Sequence, residues 1–186
     1  MEGILYCIQA VVAMLTISRE ADYAARLVVH MATSPEQRFN AKALSAAERI
    51  PESFLFKILQ TLMKHRLVRS YRGLRGGYQL AVDPKKLTLF RLLETVEGPL
   101  GLNLCVMSGM GCELRTQCAV HEVWVVAQAQ LRQVLESATV ADLARRTLEK
   151  RRAASRDGPQ PPQPSAHSAF AAGPVFPIGC AADGLD

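Results

Sequence analysis

Residues 50–82 read IPESFLFKILQTLMKHRLVRSYRGLRGGYQLAV. Pro51 stands where a helix can begin, because a missing N–H costs nothing in the first helical turn. Leu55, Ile58, Leu59 and Leu62, with Leu67 beyond them, then recur on one face at helical spacing. The preceding run AKALSAAERI, which Asn40 can cap, meets this helix across a tight Ile50-Pro51 step, the layout of a helix-turn-helix. Two short strand-like runs, LVRSY and GYQLAV, follow around RGLRG. Gly73, Gly76 and Gly77 allow a tight hairpin there, and Arg72 and Arg75 load its tip with charge. A helix-turn-helix followed by a basic hairpin predicts a winged helix.

Upstream, SREADYAARLVVHMA (residues 18–32) predicts a helix capped by Ser18, with Ala21, Ala24, Ala25, Val28, Met31 and Ala32 at helical spacing and Pro35 ending it. Downstream, Asp83-Pro84 breaks the chain, and Thr88 caps LFRLLETVEG, which Gly98 and Pro99 close. HEVWVVAQAQLRQVLESA then predicts a long helix. Trp124, Ala127, Leu131, Val134 and Ala138 form a seam that could pack on a symmetry mate or on the helix's own domain. Thr139 can cap a last short helix, VADLARRTLEKRR. The expected fold class is mainly α with a small β-hairpin wing: a winged helix-turn-helix plus a long helix, which on the first of these packings is a dimerisation helix. The chain divides into an N-terminal extension (1–13) upstream of a more natural start at Met14, a DNA-binding domain (14–84), a cysteine loop with its helices (85–152), and a Pro-rich tail (153–186). The tail has few core-forming residues and is expected to be disordered.

Charge points the same way. The formal net charge of the 186 residues is +5, and half of the 22 basic residues lie in residues 38–86, where eleven face three acids. That concentration suits a polyanionic partner. The apolar first residues carry Glu2 and no basic residue, so they read neither as a signal peptide nor as a membrane span. Of the five cysteines, three fall in CVMSGMGCELRTQCAVH (residues 105–121), spaced C-x6-C-x5-C with His121 after the last. An odd, bunched set fits a metal or redox site in a reducing, cytoplasmic setting better than a disulfide framework. Cys180, in the tail, is a bystander. No phosphate loop, nucleophile elbow, HExxH or paired-carboxylate pattern is present, and Cys118 with His121 is the sole nucleophile–base pair, so an enzyme is not expected.

Taken in order, SREADYAARLVVHMA, IPESFLFKILQTLMKHRLVRSYRGLRGGYQLA, LFRLLETVEGP, the three cysteines and H-x2-W resemble the IscR/NsrR-type family of winged-helix bacterial transcription regulators, which hold an iron–sulfur cluster. The resemblance covers roughly Met14 to Arg146. It implies a homodimer in which each subunit lends its long helix to the interface. Each subunit would present its helix-turn-helix to half of a near-palindromic duplex DNA operator, as a repressor or other regulator. It places Ser53, Phe54 and Lys57 near base edges and phosphates, and matches Arg72, beside Gly73 and Arg75, to the wing arginine of the minor groove. Where IscR-like proteins carry a glutamate that tunes sequence choice, this chain has Phe56, so its operator cannot be borrowed from them.

Three thiolates in one loop suit the soft iron of a [2Fe-2S] or [4Fe-4S] cluster held by Cys105, Cys112 and Cys118. Zinc is the main rival, but structural zinc favours shorter C-x2-4-C pairs. A metal-free thiol switch and a protein-interaction adaptor built on the winged helix also compete with the cluster-bearing regulator. For the fourth ligand, His121 is local to Cys118 and matches the IscR-like histidine. Asp22 matches the aspartate that NsrR-like proteins supply from the partner subunit, and is the rival. His30 and His65 have no partner pattern and read as structural or solvated.

Overall fold

The computed structural model describes residues 17–73, 76–107 and 112–157. The expectations for residues 1–13, Met14, Cys7, Arg75, Cys180 and the tail beyond residue 157 lie outside that set. Seven elements of regular length follow in order: α1 (Arg19–Ala32), α2 (Ala41–Glu48), α3 (Glu52–Lys64), β1 (Val68–Tyr71), β2 (Gly77–Leu80), α4 (Leu89–Glu97) and α5 (Ala119–Ser137). A last helix, α6 (Val140–Asp157), runs past residue 153, where the tail was expected to begin. The chain is thus mainly helical with one two-stranded antiparallel sheet.

The helices begin where short polar side chains offer an acceptor to an orphan N–H. Ser18 accepts from Ala21 N, Asn40 from Lys42 N, and Thr88 from Arg91 N. Thr139 caps α6 by accepting from Asp142 N at 3.1 Å while donating to Asp142 Oδ2 at 2.7 Å. That hydrogen bond, and then Arg145, hold the Asp142 carboxyl below its ordinary range. Between α2 and α3, Arg49 turns the corner at φ +52°, and Ser45 Oγ donates to Ile50 O at 2.7 Å. Ile50 plugs the corner into the core at 2% exposure. Pro51 then opens α3, which has no side-chain cap.

Apolar faces of α1 to α4 close one core. Leu27, Val28, Met31, Leu55, Ile58, Leu59, Leu62 and Leu92 have no exposed surface, and Val140 and Ala144 of α6 join them. The hairpin pairs Val68 with Leu80 and Tyr71 with Gly77. It is fastened to the body by a bridge from the α1–α2 connection: Phe39 N donates to Tyr78 O at 2.8 Å and Tyr78 N to Phe39 O at 2.9 Å. Gly77 allows that approach. Its φ is +144°, and a Cβ there would lie 2.6 Å from Phe39 O. The buried Gln79 amide adds donations to Pro35 O and Glu36 O, so the wing is held at its base.

Candidate nucleic-acid interface and cysteine loop

Helix α3 buries Leu55, Ile58, Leu59 and Leu62, which turns Ser53, Phe56, Lys57 and Gln60 outward, and all four are exposed. Phe54 is exposed on the flank, its ring edge-on to Tyr23 with centroids 6.1 Å apart. Lys57 carries an unforeseen partner: its Nζ lies 2.7 Å from Glu20 Oε2 of α1. Arg72 and Gly73 are exposed at the end of β1, with Gly73 at φ +97°, and the Arg38 guanidinium covers the Tyr71 ring at 3.9 Å. The predicted residues Ser53, Phe54, Lys57, Arg72 and Gly73 therefore all stand at the surface of the α3 and hairpin elements.

A second polar group was missed by sequence reasoning. Glu48, the last residue of α2, is buried, yet its Oε1 meets His30 Nδ1 at 2.6 Å and Arg151 at 2.7 Å. Arg26 approaches Oε2 at 3.6 Å and also donates to the Glu48 carbonyl. One carboxylate thus ties the helix-turn-helix to α1 and α6.

The cysteine loop joins α4 to α5. A short 3-10 turn spans Leu104–Val106, and Cys118 sits at the N-terminus of α5, accepting the His121 N–H at 3.0 Å. Gln128 reaches back from α5, accepting from Leu102 N at 2.8 Å and donating to Leu100 O at 3.1 Å. Cys105 and His121 line one cleft of about 810 Å³ together with Met107, Arg115, Phe90 and Arg132. Cys105 and Cys118 are half-buried, Cys112 is exposed, and all three are free thiols. Among the described residues of α5, His121 alone is buried. Arg115 Nε donates to its Nε2 at 3.2 Å, which leaves the ring proton on Nδ1, and Nδ1 has no hydrogen-bond partner among the described residues. Asp22 is 59% exposed on α1 and pairs with Arg26 at 3.8 Å.

Three thiols and an orphaned imidazole nitrogen suit a thiolate-ligated centre in kind. Among the described residues, though, no three His, Cys, Asp or Glu side chains are placed to hold one metal ion. Holding such a centre requires the loop to draw its thiols together.

Facing away from the loop, α5 exposes Val120, Val123, Val126 and Val134, each at 57–66%, and Leu131 at 36%. This stripe shares Leu131 and Val134 with the predicted seam, but Trp124, Ala127 and Ala138 are half-buried. Among the described residues, no helix is long and apolar enough to cross a membrane.

A helix-turn-helix with a basic two-stranded wing defines a winged-helix DNA-binding protein. Residues 17–146 match the Rrf2 family, described as iron-dependent transcriptional regulators, and the chain belongs to that family. A Mycobacterium tuberculosis protein classed as an HTH-type transcriptional regulator is 36% identical over 137 residues, covering 70% of this chain and 81% of its own length. The transcriptional regulator NsrR of Shouchella clausii is 29% identical over 131 residues, covering 69% and 88%. Among solved structures, CymR, the global cysteine regulator of B. subtilis, superposes with a TM-score of 0.59 at 26% identity, covering 70% of this chain and 97% of its own. IscR of T. potens gives a TM-score of 0.57 at 23% identity, covering 79% and 94%, a likeness of fold. These relatives are transcription regulators, not enzymes.

Proposed function

We propose that this Rrf2-family regulator reads a near-palindromic operator as a homodimer. Its DNA affinity would be set by the state of the loop carrying Cys105, Cys112 and Cys118, which holds an iron–sulfur cluster. The observation that carries this is the placement of the loop. It is the direct link between α4, part of the core under the reading head, and α5, which offers an apolar stripe to a second copy. A change of loop shape therefore shifts the one relative to the other. Affinity responds by the difference in contact energy between the two arrangements. Ser53 and Lys57 act in the major groove and Arg72, with Arg75, at the minor groove. The setting is cytoplasmic.

When bound, a thiolate-ligated cluster supplies one-electron redox chemistry. His121 is our choice of fourth ligand over Asp22. An unpaired buried nitrogen costs about 1–3 kcal/mol, which a ligand at that ring would relieve. Using Nδ1 requires its proton to move to Nε2, where Arg115 must give up its hydrogen bond. Asp22 already pairs with Arg26 and is 59% exposed.

Anaerobically purified protein should be brown, with iron and acid-labile sulfide in comparable amounts. Cys105→Ala, Cys112→Ala or Cys118→Ala should each bleach it, while Cys7→Ala and Cys180→Ala should not. Stoichiometric zinc without sulfide overturns the cluster. An unchanged spectrum in His121→Ala beside a bleached one in Asp22→Ala reverses the ligand choice. A metal-free thiol switch is the second reading, supported by the exposure of the free thiol of Cys112. It gains if mild oxidation changes DNA affinity in protein lacking iron and sulfide.

A further inference from the structure

Helix α3 should be polar on its outward face, since that face is not part of the core, yet it carries two exposed phenyl rings. Their environments differ. Phe54, 42% exposed, is edge-on to Tyr23, whose ring also carries the Arg26 guanidinium. Phe56, 45% exposed, has no aromatic partner among the described residues. An isolated exposed apolar side chain is ordinary on a protein surface. The setting of Phe56 is not: it lies in the first half of the helix, on the outward face with Ser53, Lys57 and Gln60.

The first residues of the second helix of a helix-turn-helix are those that approach base edges. The reading face therefore offers a hydroxyl, an amide and an ammonium for polar atoms, and one group that can neither donate nor accept. In the major groove the apolar group available among unmodified bases is the C5-methyl of thymine. Phosphate is a poor partner for this ring. Lys57, the next residue in the chain, is paired with Glu20, and Glu52 adds a second carboxylate in the first turn, so the helix start disfavours backbone phosphate beside the ring.

We infer that Phe56 is a specificity residue that packs on a thymine methyl in each half of the operator. The inference rests on the DNA-reading function proposed above. Closing the ring over one methyl removes about one methylene's worth of apolar surface from water, which corresponds to a roughly three- to tenfold affinity change per thymine.

The test uses the full chain, wild type and Phe56→Ala, to enrich duplexes from a randomised library. Each thymine of the wild-type consensus is then replaced in turn by deoxyuridine, which lacks only the methyl, and affinity is read by fluorescence anisotropy. Wild type should lose about three- to tenfold at one thymine position per half-site. Phe56→Ala should be indifferent to that replacement and should tolerate other bases there. With 45% of its surface exposed the ring is not a core residue, so the variant should remain folded, and thermal unfolding measured beside wild type separates lost reading from lost folding. Indifference of wild type to every deoxyuridine overturns the inference while leaving the DNA reader intact. So does transfer of the effect to Phe54→Ala, which would put the contact on the other ring. If wild type enriches no sequence at all, the DNA-reading proposal fails and the inference falls with it. A Phe56→Ala protein that binds its operator normally but loses a protein partner would assign the ring to protein docking, and is equally contrary.

Discussion

Removing the Glu48 carboxylate tests whether the reading head is fixed by one buried charge. In Glu48→Ala, His30 Nδ1 and the Arg151 guanidinium lose the acceptor they share at 2.6 and 2.7 Å. The two losses are unequal. The His30 side chain is 15% exposed, so its nitrogen is left poorly hydrated, and a hydrogen bond to a charged group is worth about 1.5–3 kcal/mol. The Arg26 and Arg151 side chains are 40% and 46% exposed, so they can turn to water, and their ion pairs contribute about 0–1 kcal/mol. Glu48→Ala should therefore lower unfolding free energy by about 2–4 kcal/mol. Glu48→Gln, which keeps one acceptor, should lose about half as much. Urea unfolding at equal protein concentration reads this as a lower midpoint with an unchanged slope. A loss below about 0.5 kcal/mol in Glu48→Ala would refute the reasoning, as would a gain in Glu48→Leu, the outcome seen where buried ion pairs merely break even.

Gly77→Ala should cost about 2–4 kcal/mol and weaken DNA binding beyond that loss, because the new Cβ meets Phe39 O at 2.6 Å and unfastens the wing from its bridge; urea unfolding beside operator titration checks it, and wild-type values in both would contradict it. Glu20→Gln frees Lys57, so operator affinity should rise severalfold and the salt dependence steepen by about one phosphate contact; equal or weaker binding at every salt concentration would count against the pairing. Val123→Asp places a carboxylate within the exposed stripe of α5, and sedimentation should show monomer where wild type is a dimer; persistence of the dimer would move the interface elsewhere.

What could be read from the chain was local. Ser18, Asn40, Thr88 and Thr139 act on residues two or three positions away, and all four cap the helices expected of them. The face of α3 followed from the spacing of Leu55, Ile58, Leu59 and Leu62. The glycines of the hairpin marked its turn. What escaped was non-local. Glu48 meets residues 26, 30 and 151, and Lys57 meets Glu20, separations at which no periodicity operates. The predicted seam of α5 follows heptad spacing alone. Gln128 binds the loop backbone, however, so the helix turns that side, with His121 buried, inward and leaves Val120 and Val123 outside. Cys105, Cys112 and Cys118 are neighbours in the chain, but chain proximity does not make side chains converge, and the described positions are not gathered.

The junction of α5 and α6 has a mechanical meaning. Leu89 N donates to Ala138 O and Val140 N to Leu87 O, both at 2.8 Å, so α5 is hinged at its far end to the start of α4. From that fulcrum its 19 residues form an arm about 28 Å long reaching to Cys118. A displacement of about 2 Å at the cysteine end turns the arm by only about 4° at the hinge. A displacement at the loop end thus becomes a small rotation where the core is dense, and the core is spared repacking.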